Sequence, residues 1–300
     1  MRLAIQLPVA SQNVTVRAIL YMILSSLGFA AVELIGGYLL ESIPLLQLVW
    51  GRYAVHLLFM VIVLGPRYKT RLVSTSRPAV QIIRSLTMVA MPVCFILANQ
   101  QMHHTEVWSI YWTAPLMMLA LSTWVLREPA GTVRWFMSLL GLGAMLLIYR
   151  PGIGMFGPGL ILALGVGLAI SLHLMFSRIL REDHPLASLF HTALWAFMVF
   201  SFVMPFLWQT PTMGDLMAMV FVGIIGMLAL LALARSAELM PMAVVATFSY
   251  TEGIWRMLIG VLLFNVMPTR SALLGTLIIA GITAFMLWYE MRQPKIQLEP

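Results

Sequence analysis

Ten apolar runs of about 20 residues each, joined by short polar connectors, limit what this chain can fold into. They are residues 18–40, 44–64, 80–97, 107–126, 135–149, 160–179, 189–207, 216–233, 242–264 and 272–289. A run of that length crosses the hydrocarbon of a bilayer as one helix. The runs are continuous rather than alternating, which excludes a β-barrel. Connectors such as Gly65-Pro66-Arg67 and Arg150-Pro151-Gly152 carry turn residues and charge, and none is long enough to hold a soluble domain. Apolar residues make up 61% of the chain, more than a soluble fold could hide from water. The first run is too long for a signal-peptide core and has no small-residue cleavage site after it, so it is expected to be a retained span.

The net charge is +7. In a soluble chain that excess would point to nucleic acid; here its placement points to topology. Of the eighteen Lys and Arg, Arg52 and Arg256 lie near the middle of runs. With the N-terminus in the cytoplasm, fourteen of the other sixteen fall on the cytoplasmic side, Arg84 and Arg178 among them. Only Arg150 and Arg270 fall outside. The positive-inside rule therefore predicts both termini in the cytoplasm and a multi-pass protein of the cytoplasmic (inner) membrane. Lipid is then an expected partner and nucleic acid is not.

Ten spans divide into two fives. A duplicated unit with an odd number of spans must lie upside down relative to its partner. Leu126-Arg127-Glu128-Pro129, Arg134, Gly141 and Gly143 run in the same order as Phe264-Asn265, Pro268-Thr269-Arg270, Gly275 and Gly281. The expected architecture is all-α, with ten transmembrane helices in two inverted five-helix repeats, residues 1–152 and 153–300.

The motifs Val49-Trp50-Gly51-Arg52-Tyr53, Ile83-Arg84-Ser85-Leu86, Ala114-Pro115-Leu116, Leu126-Arg127-Glu128 and Gly141-Leu142-Gly143 then acquire a common setting. With ten spans, the chain resembles the drug/metabolite transporter superfamily, specifically proteins built from two EamA-type repeats. The resemblance implies movement of a solute, in a direction that differs among members. Members commonly carry an acid at the end of span nine, where this chain has Asn265.

A charge at the bilayer centre costs about 2.5–3.5 kcal/mol on insertion scales, so it marks a function or needs a partner. Glu33, Arg52, Glu252 and Arg256 are such charges. Glu252 and Arg256, four residues apart, share one helix face. They form either a self-neutralising pair or a switchable pair facing a solute cavity. Arg52 either locks to Glu33 on the neighbouring span or stays free to hold an anionic group of the solute. His56 lies one turn deeper on the Arg52 face. His56 and His173 read first as packing histidines. Glu33 and Glu252 are the proton-coupling candidates, because burial disfavours a charged carboxylate.

Tyr111, Trp112, Tyr250 and Trp255 fall within spans rather than at their ends, and are candidate walls of the cavity. Trp195 is placed likewise, while Trp135, Trp208, Trp288 and Tyr289 read as interface anchors. Pro115 removes a backbone bond and should bend span four beside Tyr111 and Trp112. The 24 methionines read as adaptable packing. Cys94 is the one cysteine, so no intramolecular disulfide or cysteine metal cluster is expected, and neither metal nor cofactor.

A secondary transporter is the leading reading. It would carry a small polar or amphiphilic metabolite by alternating access, as a monomer or homodimer, with proton coupling allowed. A membrane-embedded enzyme acting on a lipid-linked substrate needs a clustered catalytic set. His103-His104 is the one histidine pair, and on an external connector it is a weak signal for catalysis. A channel would need a filter-like ring, and no segment resembles one.

Overall fold

The computed structural model describes residues 12–293. Arg2 and Lys295, used in the charge count, lie outside the described residues. The described residues fold into helices α1 (Gln12–Leu39), α2 (Leu45–Phe59), α3 (Gly65–Tyr68), α4 (Pro78–Asn99), α5 (His104–Tyr111), α6 (Ala114–Trp124) and α7 (Thr132–Tyr149). The second half holds α8 (Leu160–Ile179), α9 (Pro185–Ser201), α10 (Met204–Leu207), α11 (Met213–Leu239), α12 (Met242–Ser249), α13 (Thr251–Phe264) and α14 (Arg270–Arg292). No strand occurs among the described residues. Seven helical stretches are long and apolar enough to cross a membrane. Three further apolar stretches are interrupted: α5–α6, α9–α10 and α12–α13.

The interruptions have local causes. Pro115 and Pro205 each fall in the first turn of the second piece, where the missing N–H costs least. The Thr113 hydroxyl donates to the Ile110 carbonyl at 2.7 Å. At Tyr250, Ser249 donates to the Ala246 carbonyl at 2.7 Å and Thr251 to the Phe248 carbonyl at 2.7 Å. Hydroxyls thus supply partners at the kinks, as backbone groups in lipid require. The ends of α6 and α13 also match. Arg127 and Asn265 each adopt positive φ, 58° and 52°. Asparagine tolerates that left-handed conformation, which suits residue 265 to ending the helix.

Packing pairs the halves crosswise. α1 lies along α11, and α4 along α8. α13 flanks α1, as α5 and α6 flank α8. α2 contacts both α9 and α11, while α9 contacts both α2 and α4. α7 and α14 pair with each other. Exchanging the halves maps this set of contacts onto itself. The outer surface is apolar: Ile161, Phe206, Leu262 and Leu277 are each more than two-thirds exposed. In water such a surface would aggregate, and in lipid it needs no cover.

The α7–α14 seam depends on one glycine. A Cβ on Gly275 would meet the Ala144 carbonyl oxygen at 2.6 Å and Ile148 at 2.8 Å. A Cβ on Gly281, one and a half turns further along α14, would meet nothing within 4 Å. Gly275→Ala should therefore cost about 1–3 kcal/mol through forced separation. Gly281→Ala should leave the melting temperature of the purified protein unchanged or slightly raised, and a differential scan in detergent checks both.

Candidate functional site

A cavity of about 230 Å³ opens between the two halves. α1, α2, α4, α5, α6, α8, α11 and the α12–α13 kink all contribute to its wall. Gly37, Leu40 and His104 line it and are exposed, which puts the mouth at the α1–α2 connector. Met22, Met88, Met118, Leu174, Leu230 and Leu233 also line it and are all buried in the hydrophobic core. The far end is therefore a plug of apolar side chains.

Four of the residues singled out from sequence line this cavity: Glu33, Arg52, Tyr111 and Glu252. Glu33 on α1 is ion-paired with Arg256 on α13. The Arg256 guanidinium also stands 5.1 Å from the Trp108 ring centre and 5.4 Å from that of Tyr149. Neither of the pairings left open by the sequence forms. Glu33 is answered by Arg256 rather than Arg52, because α13 flanks α1. Glu252 and Arg256 share a helix but form no ion pair among the described residues. Glu252 is buried and lines the cavity instead.

Arg52 has no carboxylate partner among the described residues. Its Nη2 donates to the Tyr53 hydroxyl at 3.1 Å, and its guanidinium lies 4.8 Å from the Tyr53 ring centre. A half-buried cation held by a phenol keeps donors for a solute anion. His56 is buried against Tyr53, with ring centres 6.4 Å apart, and lies outside the lining. Trp112 and Tyr250 stack on each other at 5.9 Å in a core cluster with Ala144, Met145 and Ile279. Trp255 also lies outside the lining.

Sequence reading passed over Trp108, Phe95 and Tyr53, which do line the cavity. Trp108 sits at van der Waals ring distances of 5.2 Å from Phe95 and 5.1 Å from Tyr111. The signal was present: His104, Trp108 and Tyr111 follow the four-then-three spacing of one helix face. Adjacent Tyr111 and Trp112 point different ways, and only Tyr111 faces open space.

Two arginines assigned from sequence to the cytoplasmic side are buried. Arg84 is 2% exposed and Arg178 1%. Arg178 pairs with Glu128 at 2.8 Å and donates to the carbonyls of Ala237 and Glu238 at 2.9 and 3.0 Å. Glu128 in turn accepts from the Met242 N–H at 3.0 Å and the Ser122 hydroxyl at 3.2 Å. One carboxylate thus ties the end of α6 to α8, α11 and the start of α12. In the neighbouring α8–α9 connector, burial pushes the Asp183 carboxyl up. Hydrogen bonds from Thr75 and Ser76 outweigh it, so the carboxyl stays below its ordinary range.

A residue-level match to known proteins decides the family. Residues 16–150 and 157–288 each match the EamA-like transporter family. The chain belongs to that family. It is a multi-pass membrane transporter of a small metabolite rather than an enzyme. Among curated proteins, it is 23% identical over 276 residues to the S-adenosylmethionine uptake transporter of Rickettsia bellii, covering 91% of this chain and 94% of the relative. The protein of the same name from Rickettsia conorii is also 23% identical, with 91% and 92% covered. A crystal structure with 16% identity superposes with a TM-score of 0.76 over 95% of this chain and all of the other, which shows a shared fold.

The Glu128 hub makes a measurable demand on the EamA-like protein. Glu128→Ala leaves Arg178 buried without its counter-charge and should cost about 3–5 kcal/mol. Glu238→Ala removes the more exposed pair with Arg235, 3.1 Å apart three residues away, and should cost at most about 1 kcal/mol. Melting temperature and detergent-extracted yield distinguish the two.

Proposed function

We propose that this chain is a secondary transporter for an amphiphilic metabolite bearing a cationic centre, a carboxylate and a flat ring. S-adenosylmethionine, named for the relatives above, has this chemistry. The observation that carries the reading is the Glu33–Arg256 pair beside the cavity, with Trp108 shared between Arg256 and the cavity lining. Arg256 already occupies an acid-plus-aromatic cradle of the kind that holds organic cations. A solute cation entering from the mouth takes over Glu33 and Trp108. Arg256 is then released towards Glu252, one turn away on the same face. Arg52 holds the carboxylate, and Phe95, Trp108 and Tyr111 offer ring faces.

The three interrupted stretches complete ten crossings in this reading. The crosswise packing of the halves supports two inverted repeats, residues 1–152 and 153–300, rocking about the central site. The Lys and Arg bias supports cytoplasmic termini in the inner membrane. The mouth then faces outward and the apolar plug faces the cytoplasm. Glu33 and Glu252 are the groups through which proton coupling would act, since both line the cavity and Glu252 has no ion-pair partner among the described residues.

Purified protein in liposomes should exchange external labelled S-adenosylmethionine for internal unlabelled solute without ATP. Arg52→Gln should raise the half-saturation concentration about tenfold or more, the loss of one charge-assisted contact of about 1.5–3 kcal/mol. Glu33→Gln should abolish exchange while the protein remains inserted. Wild-type rates in both variants would refute the site.

A further inference from the structure

Beneath the apolar plug lies a second polar cluster that the central site does not use. Arg84 on α4 donates through Nε to Gln81 at 2.9 Å, through Nη1 to His173 and Ser177 at 3.2 Å each, and through Nη2 to Thr192 at 2.7 Å. Nη2 also donates to the Ser188 carbonyl. Every acceptor is neutral. Asp183, on the α8–α9 connector, accepts instead from Thr75 and Ser76. The guanidinium is therefore hydrogen-bonded but not neutralised, in a region where an uncompensated charge is costly.

Its location gives that charge a use. Arg84, His173, Ser177 and Ser188 line a small cavity of about 10 Å³, closed down to the room of one water. Leu174, Leu230 and Leu233 line both this cavity and the central one. The two spaces are thus separated by a single layer of leucines. Tyr53, the residue that holds Arg52, lines the central cavity. The contacts to His173 and Ser177 are the longest of the five, and both residues face the small cavity. These are the contacts a stronger anionic acceptor would replace.

We propose that Arg84 is a second anion subsite, which takes the solute carboxylate from Arg52 once the leucine layer parts. This rests on the transport reading above. Arg52 would govern capture from the mouth, and Arg84 the passage beyond the plug.

The test compares S-adenosylmethionine with its decarboxylated counterpart in exchange by proteoliposomes, for wild type, Arg84→Gln and Arg84→Lys. The wild type should move the carboxylated solute at least tenfold faster at saturation. Arg84→Gln should erase that difference in maximal rate while leaving half-saturation from the mouth side within about threefold. Arg84→Lys, which keeps the charge, should retain part of the preference and covers the case in which Arg84→Gln does not insert. Equal slowing of both solutes in Arg84→Gln or Arg84→Lys, with a fall in melting temperature, would make Arg84 a structural bolt and overturn the proposal. So would a wild type that moves both solutes equally fast. Wild-type protein that moves neither solute would instead fail the transport reading itself.

Discussion

Inside a bilayer no water stands ready to answer a charge, so every ionised side chain must be met by the protein or by what passes through it. The buried charges of this chain divide along that line. Glu128 and Arg178 are met by each other away from any cavity: the pair is joined at 2.8 Å and bonded onward to three backbone groups. Glu33 and Arg256 are met by each other, with Glu33 on the wall of an open cavity. Arg52, Arg84 and Glu252 have no opposite charge bound to them among the described residues. The first class holds helices together, while Glu33, Arg52 and Glu252 line the central cavity and Arg84 the small one.

The same solvent constraint shapes the helices. A kink in lipid frees backbone groups that need local partners, and the kinks here have hydroxyls at the required places. The kink at Tyr250 puts Glu252 in the first turn of α13, where the helix dipole favours a negative group. Tyr250 itself is held by the Trp112 ring and by Gly141, whose missing Cβ leaves room for the phenol ring. Aromatic residues that from sequence suited a cavity wall thus serve the kink instead. The wall next to it is left to Tyr111 and Trp108.

The cavity is asymmetric in a way that fits one stage of a transport cycle. Its mouth has exposed Gly37, Leu40 and His104, while its other end is closed by a leucine layer over the Arg84 cluster. Flexible methionines, Met22, Met88, Met91 and Met118, share the lining. Such side chains repack at low cost when neighbours move, as the plug must do if solute is to pass.

Membrane residence, the all-helical class, two family repeats and the break at Pro115 were legible in the sequence. Each follows from short-range rules: run length, the missing N–H of proline, and residue order along one segment. Glu33, Arg52 and Glu252 could be singled out for the same reason, since a charge within an apolar run is visible without a fold. Their partners were not legible. Glu252 and Arg256 lie one turn apart, yet Arg256 reaches across to Glu33, because α13 packs on α1 and a helix face alone does not fix which neighbour it meets. Arg84 and Arg178 sit near the ends of their runs and resemble surface charges in sequence. Only the tertiary structure shows them buried, because burial at a helix end is decided by the helices that gather round it.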